Sequence, residues 1–221
     1  MQTPLKLVRV WDLPTRVFHW SLAVLVLCSW VSAENGLLKL HLWSGLAMLT
    51  LLLFRILWGF VGSSTARFDQ FVRSPRRALG YLRAMKRGEE HLHAGHNPAG
   101  GWMVLTLLAV LSLQTVTGLF SNDGVRFFGP LAARISAALS DRLTTLHGTV
   151  FDVILALVWL HIVAVLYYRH VRADDLVVPM ITGSKPDAMV PAGPPLKFVA
   201  LRWALLCMVS AVLLVWWILR P

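Results

Sequence analysis

The chain has 221 residues, 57% of them hydrophobic and only 14% charged, with 21 Lys and Arg against 11 Asp and Glu. Ten tryptophans and a mean hydropathy of +0.64 exclude an ordinary soluble domain and point to an integral membrane protein. The net charge of +10 does not signal nucleic acid, because the basic residues lie between apolar runs, where they meet anionic lipid and set topology.

Apolar runs predict five membrane-spanning helices at roughly 17–33, 41–61, 102–121, 147–168 and 198–219. Pro14 suits the first turn of the first helix, with Asp12 or Leu13 just ahead of it. The basic linker 62–101 predicts an amphipathic helix around 75–86. Between spans three and four, residues 124–143 interleave Phe127, Phe128, Leu131, Ile135 and Leu139 with Arg126, Arg134 and Arg142, which predicts a short interfacial helix. Five prolines in 179–197 predict an extended connector. The expected fold is an all-α integral membrane protein. A four-helix transmembrane bundle occupies 1–185, and a linker with an additional C-terminal transmembrane helix occupies 186–221.

With the N-terminus in the cytoplasm, fourteen basic residues face that side: Lys6, Arg9 and Arg16, seven in the linker, then Arg169, Arg172, Lys185 and Lys197. Lys39, Arg126, Arg134, Arg142 and Arg220 face the other side. The positive-inside rule therefore predicts a cytoplasmic N-terminus and a periplasmic C-terminus.

Histidine is costly inside a bilayer, and four stand in these runs. His147 and His161, fourteen residues apart, return to within about 40° of one helix face and are separated by roughly 21 Å. By the topology above, His19 and His161 lie near the cytoplasmic face, and His41 and His147 near the outer face. Neutral imidazole ligates haem iron without adding charge, so two depth-matched pairs suggest two stacked haems held by four helices. The competing readings are a hydrogen-bonded interior histidine or a proton path. Pairs so far apart cannot close one zinc site, and no acidic or thiol ligand accompanies either. Without Cys-x-x-Cys-His there is no covalent attachment, which leaves b-type haem; Cys28 and Cys207 read as apolar fillers.

Arg55 follows His41 by fourteen residues on the same face and suits a haem propionate, or simple snorkelling to the interface. Gly45 and Gly118 leave room for a flat macrocycle, though small residues also serve helix packing. His91, His93 and His96 form a His-x-His-x-x-His loop that reads as solvated rather than as a metal site. His170 suits the C-terminal end of a helix dipole.

The run from Trp11 to Trp20, Trp-Asp-Leu-Pro-Thr-Arg-Val-Phe-His-Trp, resembles the opening of the bacterial cytochrome b561 and nickel–iron hydrogenase b-type cytochrome family. So do His41-Leu42-Trp43-Ser44-Gly45, Arg55-x-x-Trp58-Gly59, Gly95-His96-Asn97-Pro98-Ala99-Gly100-Gly101, His147-Gly148, His161 and the run from Met180 to Lys185. The resemblance covers about 8–185 and implies a four-helix bundle with two haem b groups, ligated by His19 and His161 inside and by His41 and His147 outside. It further implies electron transfer between a periplasmic redox protein or small redox molecule and the quinone/quinol pool of the bacterial inner membrane. Members often serve as the anchor subunit of an oxidoreductase in a respiratory chain. The fifth span departs from the core pattern.

Under this reading a quinone sits beside the inner haem, with Trp11, Asp12 and Arg16 as candidate contacts. Arg16 is a candidate for quinone or propionate; helix capping and lipid headgroups are the plainer roles. Two other functions remain open. One is a free-standing oxidoreductase taking electrons from a small molecule such as superoxide at a cationic outer surface. The other is a haem-free transporter with a histidine proton path.

Overall fold

The computed structural model describes residues 6–89, 92–125 and 127–220. His91 and Arg126, named above, lie outside the described residues. In chain order the elements are β1 (Leu7–Arg9), α1 (Leu13–Glu34), α2 (Leu38–Val61), α3 (Phe68–Phe71), α4 (Pro75–Arg87) and α5 (Pro98–Leu119). A 3₁₀ turn at Ala132–Arg134 precedes α6 (Ala137–Val171), α7 (Val177–Thr182), β2 (Ser184–Pro186), a second 3₁₀ turn and α8 (Leu201–Ile218). The helices α1, α2, α5, α6 and α8 are long and apolar enough to cross a membrane. They expose Val24, Trp43 and Trp217 at 65%, 69% and 65%, a surface suited to hydrocarbon rather than water.

Local chemistry explains the element ends. Asp12 caps α1: its Oδ1 accepts the Thr15 N–H at 2.8 Å, while Pro14 in the first turn has no N–H to satisfy. Ser74 caps α4 ahead of Pro75, and Gly88 ends it in the left-handed region at φ +74°. Gly183 ends α7 at φ +91°, and its carbonyl accepts the N–H groups of both Val10 and Trp11. A Cβ there would lie 3.0 Å from the Trp11 carbonyl oxygen, so glycine is needed on both counts.

Two stretches differ from expectation. Among the described residues of 124–143 there is no separate interfacial helix: Leu139 and Arg142 belong to the opening turns of α6, and Leu131 is buried. The Ala- and Leu-rich opening of α6 holds no Gly or Pro to interrupt it. The helix runs for 35 residues, about 52 Å, well beyond a hydrocarbon core of about 30 Å. The proline-rich connector is also more ordered than predicted. It contains α7 and β2, and β2 pairs antiparallel with β1 in the register Leu7↔Pro186, Val8↔Lys185 and Arg9↔Ser184. Strands of three residues are too short to show alternation in the sequence.

The chain divides into two compact units. The first comprises Met1–Val17, Leu57–Thr106 and Leu160–Ala204; the second comprises Phe18–Ile56, Leu107–Trp159 and Leu205–Pro221. Val10, Trp11, Trp58 and Ala66 are buried in the first. In the second, Leu49 of α2, Leu119 of α5, Leu131 and Val215 of α8 form one apolar cluster. The fifth membrane helix thus contributes to the core of that unit.

Candidate cofactor site

In the second unit, α1, α2, α5 and α6 line a cavity of about 330 Å³. His41 and His147 both face it, with ring centroids 6.0 Å apart and planes at 86°. Each ring is anchored through Nδ1. That of His41 lies 2.9 Å from the carbonyl oxygen and 3.1 Å from Oγ of Ser29. That of His147 lies 2.9 Å from the carbonyl oxygen of Gln114 and 3.2 Å from Oγ1 of Thr117. A carbonyl only accepts, so each Nδ1 carries the proton and each Nε2 keeps a lone pair. At His147 that lone pair takes a hydrogen bond from Nε2 of Gln114 at 3.2 Å.

This geometry fits a metal held between two imidazoles. With each nitrogen about 2 Å from a central ion, the ring centres stand about 6 Å apart. Hydrogen bonding of the distal nitrogen to a backbone carbonyl is the usual way to orient a ligating histidine. Among the described residues, no three His, Cys, Asp or Glu side chains cluster as a metal cage. Two histidines therefore suit a metal whose remaining ligands arrive with it, as in haem. The walls suit it too, with Leu42, Leu46, Leu111, Phe151 and Ile154 offering apolar surface to a macrocycle.

The two glycines divide the work. Gly45 lines the cavity, and a Cβ there would meet nothing within 4 Å. At Gly118 a Cβ would lie 2.9 Å from Cε1 of His147, so the space freed by this glycine admits the imidazole itself rather than a cofactor. Ser29, Gln114 and Thr117, which hold the rings, do not stand out in the sequence as site residues. Their available signal was spacing: Gln114, Thr117 and Gly118 fall at i, i+3 and i+4 on one face of an apolar helix.

The remaining predicted residues are placed as follows. His19 on α1 is half-buried in the second unit, edge-on to Trp20 at 4.9 Å. Arg55 on α2 is 2% exposed in the same unit. His161 on α6 is half-buried and belongs to the first unit. Arg16, also of the first unit, donates to the carbonyl of Ile181.

Elsewhere in the first unit, several buried polar groups hold one another. Asp12 is 1% exposed, and while its Oδ1 caps α1, its Oδ2 accepts the indole N–H of Trp58 at 3.1 Å. Thr65 Oγ1 donates to the carbonyl of Val10 at 2.6 Å. Lys185, 3% exposed, pairs with Asp174 at 2.8 Å. The His96 ring lies between Trp11 and Phe71, with centroids at 4.8 and 4.7 Å, beside a second cavity of about 280 Å³ that Thr65, Gln70, Arg73 and His93 also line.

No curated protein matches the chain. The family model for prokaryotic cytochrome b561 matches residues 10–183, more than three-quarters of the sequence. That stretch takes in His41 and His147, the groups that orient them, and the contacts around Asp12. With its all-α architecture and five apolar helices, the chain belongs to the prokaryotic cytochrome b561 family, bacterial multi-pass membrane proteins that bind haem b and take part in electron transfer.

Proposed function

We propose that this protein is a di-haem subunit of a membrane oxidoreductase, carrying electrons between a periplasmic redox partner and the quinone pool. The observation that carries the reading is the His41–His147 pair: two rings 6.0 Å apart, each with Nδ1 on a backbone carbonyl. These two residues hold one haem b, and His19 and His161 hold the other. The second pairing rests on their matched depth in the sequence topology and on the family resemblance. When bound, each haem would supply a one-electron ferric/ferrous couple.

The protein's own part is to orient and to insulate. Ser29 and Gln114 fix the tautomer of the ligating rings and raise their basicity, which helps set the potential. Arg55, a buried cation within a span, neutralises a propionate. The excess of basic residues in the N-terminal segment and in the second and fourth loops supports a cytoplasmic N-terminus and a periplasmic C-terminus in the inner membrane. Quinone is taken at the cytoplasmic side, where Trp11 offers a wall and Arg16 a cation; Asp12 is already engaged as a cap.

The test is the haem content of detergent-purified protein with oxidised and dithionite-reduced spectra. Two low-spin b-type haems per chain are expected. A single haem would return one histidine pair to a proton path. A colourless protein, made with ample haem supply, would overturn the reading.

A further inference from the structure

Asp152 lies in the apolar stretch of α6, five residues and about 7.5 Å beyond His147. Its side chain is exposed, and among the described residues it has no hydrogen bond or ion pair. A carboxylate facing hydrocarbon is strongly disfavoured, and acids within membrane helices are found paired or facing polar space. Its neighbours do not supply that pairing. Thr149 donates its hydroxyl to the carbonyl of Thr145, and Thr145 donates to that of Asp141, each at 3.1 Å. Gly148 and Ala156, one turn to either side of Asp152, are exposed and small, so another backbone can come close.

We propose that this face of α6 docks a transmembrane helix of another protein that carries a basic side chain at the depth of Asp152. Charge decides the occupant. A second copy of this chain, packed face to face about a twofold axis, would set Asp152 against Asp152 with Asp141 further along the same stripe. That stripe holds no cation to offset them, and Arg55 of α2 is buried. A lysine or arginine from a different helix meets the carboxylate and removes both charges from lipid at once. The inference deepens the subunit reading above and rests on it, but it stands on residues that take no part in holding haem.

The test is a photo-crosslinking amino acid at Ala156, activated in intact membranes of the native bacterium, with the joined peptides sequenced. The expected product joins Ala156 to a membrane helix of another protein with Lys or Arg within one turn of the joined residue. Asp152→Leu, which hydrocarbon tolerates, lowers that product by about tenfold, and Asp152→Glu retains it. Haem content, read on the same membranes, stays unchanged in both variants. Products joined only to lipid, to a second copy, or to a helix lacking a basic residue would overturn the proposal. So would a product insensitive to Asp152→Leu. Any of these with both haems present leaves the electron-transfer reading standing, whereas loss of haem from the parent protein would strike that reading alone.

Discussion

Two sets of buried polar groups, one in each unit, are used in opposite ways. In the first, Asp12 holds a helix N-terminus and an indole N–H, and Lys185 holds Asp174, so these polar atoms are engaged with one another. In the second, the backbone carbonyls of Ser29 and Gln114 fix two imidazoles through Nδ1 on a shared cavity, where the other nitrogen of His147 is held only by the Gln114 side-chain amide and that of His41 keeps its lone pair. Buried polarity of the first kind builds a fold. Polarity of the second kind prepares a place for something the chain does not supply. Polar residues in the apolar core are therefore informative about function only when an atom with bonding capacity remains directed at open space.

The sharpest way to break this comparison is at the imidazoles. His41→Ala and His147→Ala should each remove one haem of two, counted as pyridine haemochrome on purified protein, whereas Asp12→Asn should leave the haem count at that of the parent. Loss of haem from the Asp12 variant would show that the contacts around Asp12 also prepare a cofactor site. The next largest effect is on stability in the first unit. Lys185→Met strands the Asp174 carboxylate and should cost about 3 kcal/mol, seen as a fall in Tm in detergent. Adding Asp174→Leu to it should recover most of the loss, because an apolar pair of similar volume replaces the ion pair.

Much of the second unit's chemistry was legible in the sequence because histidine is so rarely tolerated in an apolar run. The four histidines stood out on composition alone, and topology brought His41 and His147 to one depth. The groups that hold them were not legible in the same way. Ser29 and Gln114 act largely through backbone carbonyls, which every residue has, and only in part through their side chains, so the side-chain types carry little signal. Gly118 was visible as a small residue, but whether it admits a ring or a cofactor depends on where His147 points. The five spans followed from hydropathy, while the β1–β2 pair did not. Its stability comes from the Gly183 carbonyl and the Lys185–Asp174 pair, contacts between segments about 175 residues apart in one case and eleven in the other. Asp152 is inconspicuous in the sequence because one acid scarcely alters the hydropathy of a 35-residue helix.

A finer probe of the second unit is Gly118→Ala. The added Cβ would press on the His147 ring from 2.9 Å, so the ring must rotate or retreat, at a cost of about 1–3 kcal/mol. The haem should remain, with a changed low-spin electron paramagnetic resonance signal from the histidine pair and the other haem's signal unaltered. An unchanged spectrum would mean that the Gln114 carbonyl, rather than the contact with Gly118, sets the ring.

The smallest expected effect sharpens the other side of the comparison, because it concerns a polar group that is engaged but not deeply buried. Asp175 accepts the N–H groups of Val177 and Val178 at 2.8 and 3.1 Å ahead of α7 and lies 3.7 Å from Arg169. The Val178 N–H foremost, then that of Val177 and the nearby Arg169 and Lys185, holds its carboxyl below the usual carboxylate range. A carboxyl held low in the folded state stabilises the fold at pH values above its ordinary pKa. That contribution is lost as pH falls through the lowered folded value. Between neutral pH and strong acid, the parent's Tm should therefore fall slightly further than that of Asp175→Asn. The two should converge in strong acid, where both carry an uncharged side chain at this position. If the two curves stay parallel throughout, the cap acts through its hydrogen bonds alone, and the charge of Asp175 contributes nothing to the first unit.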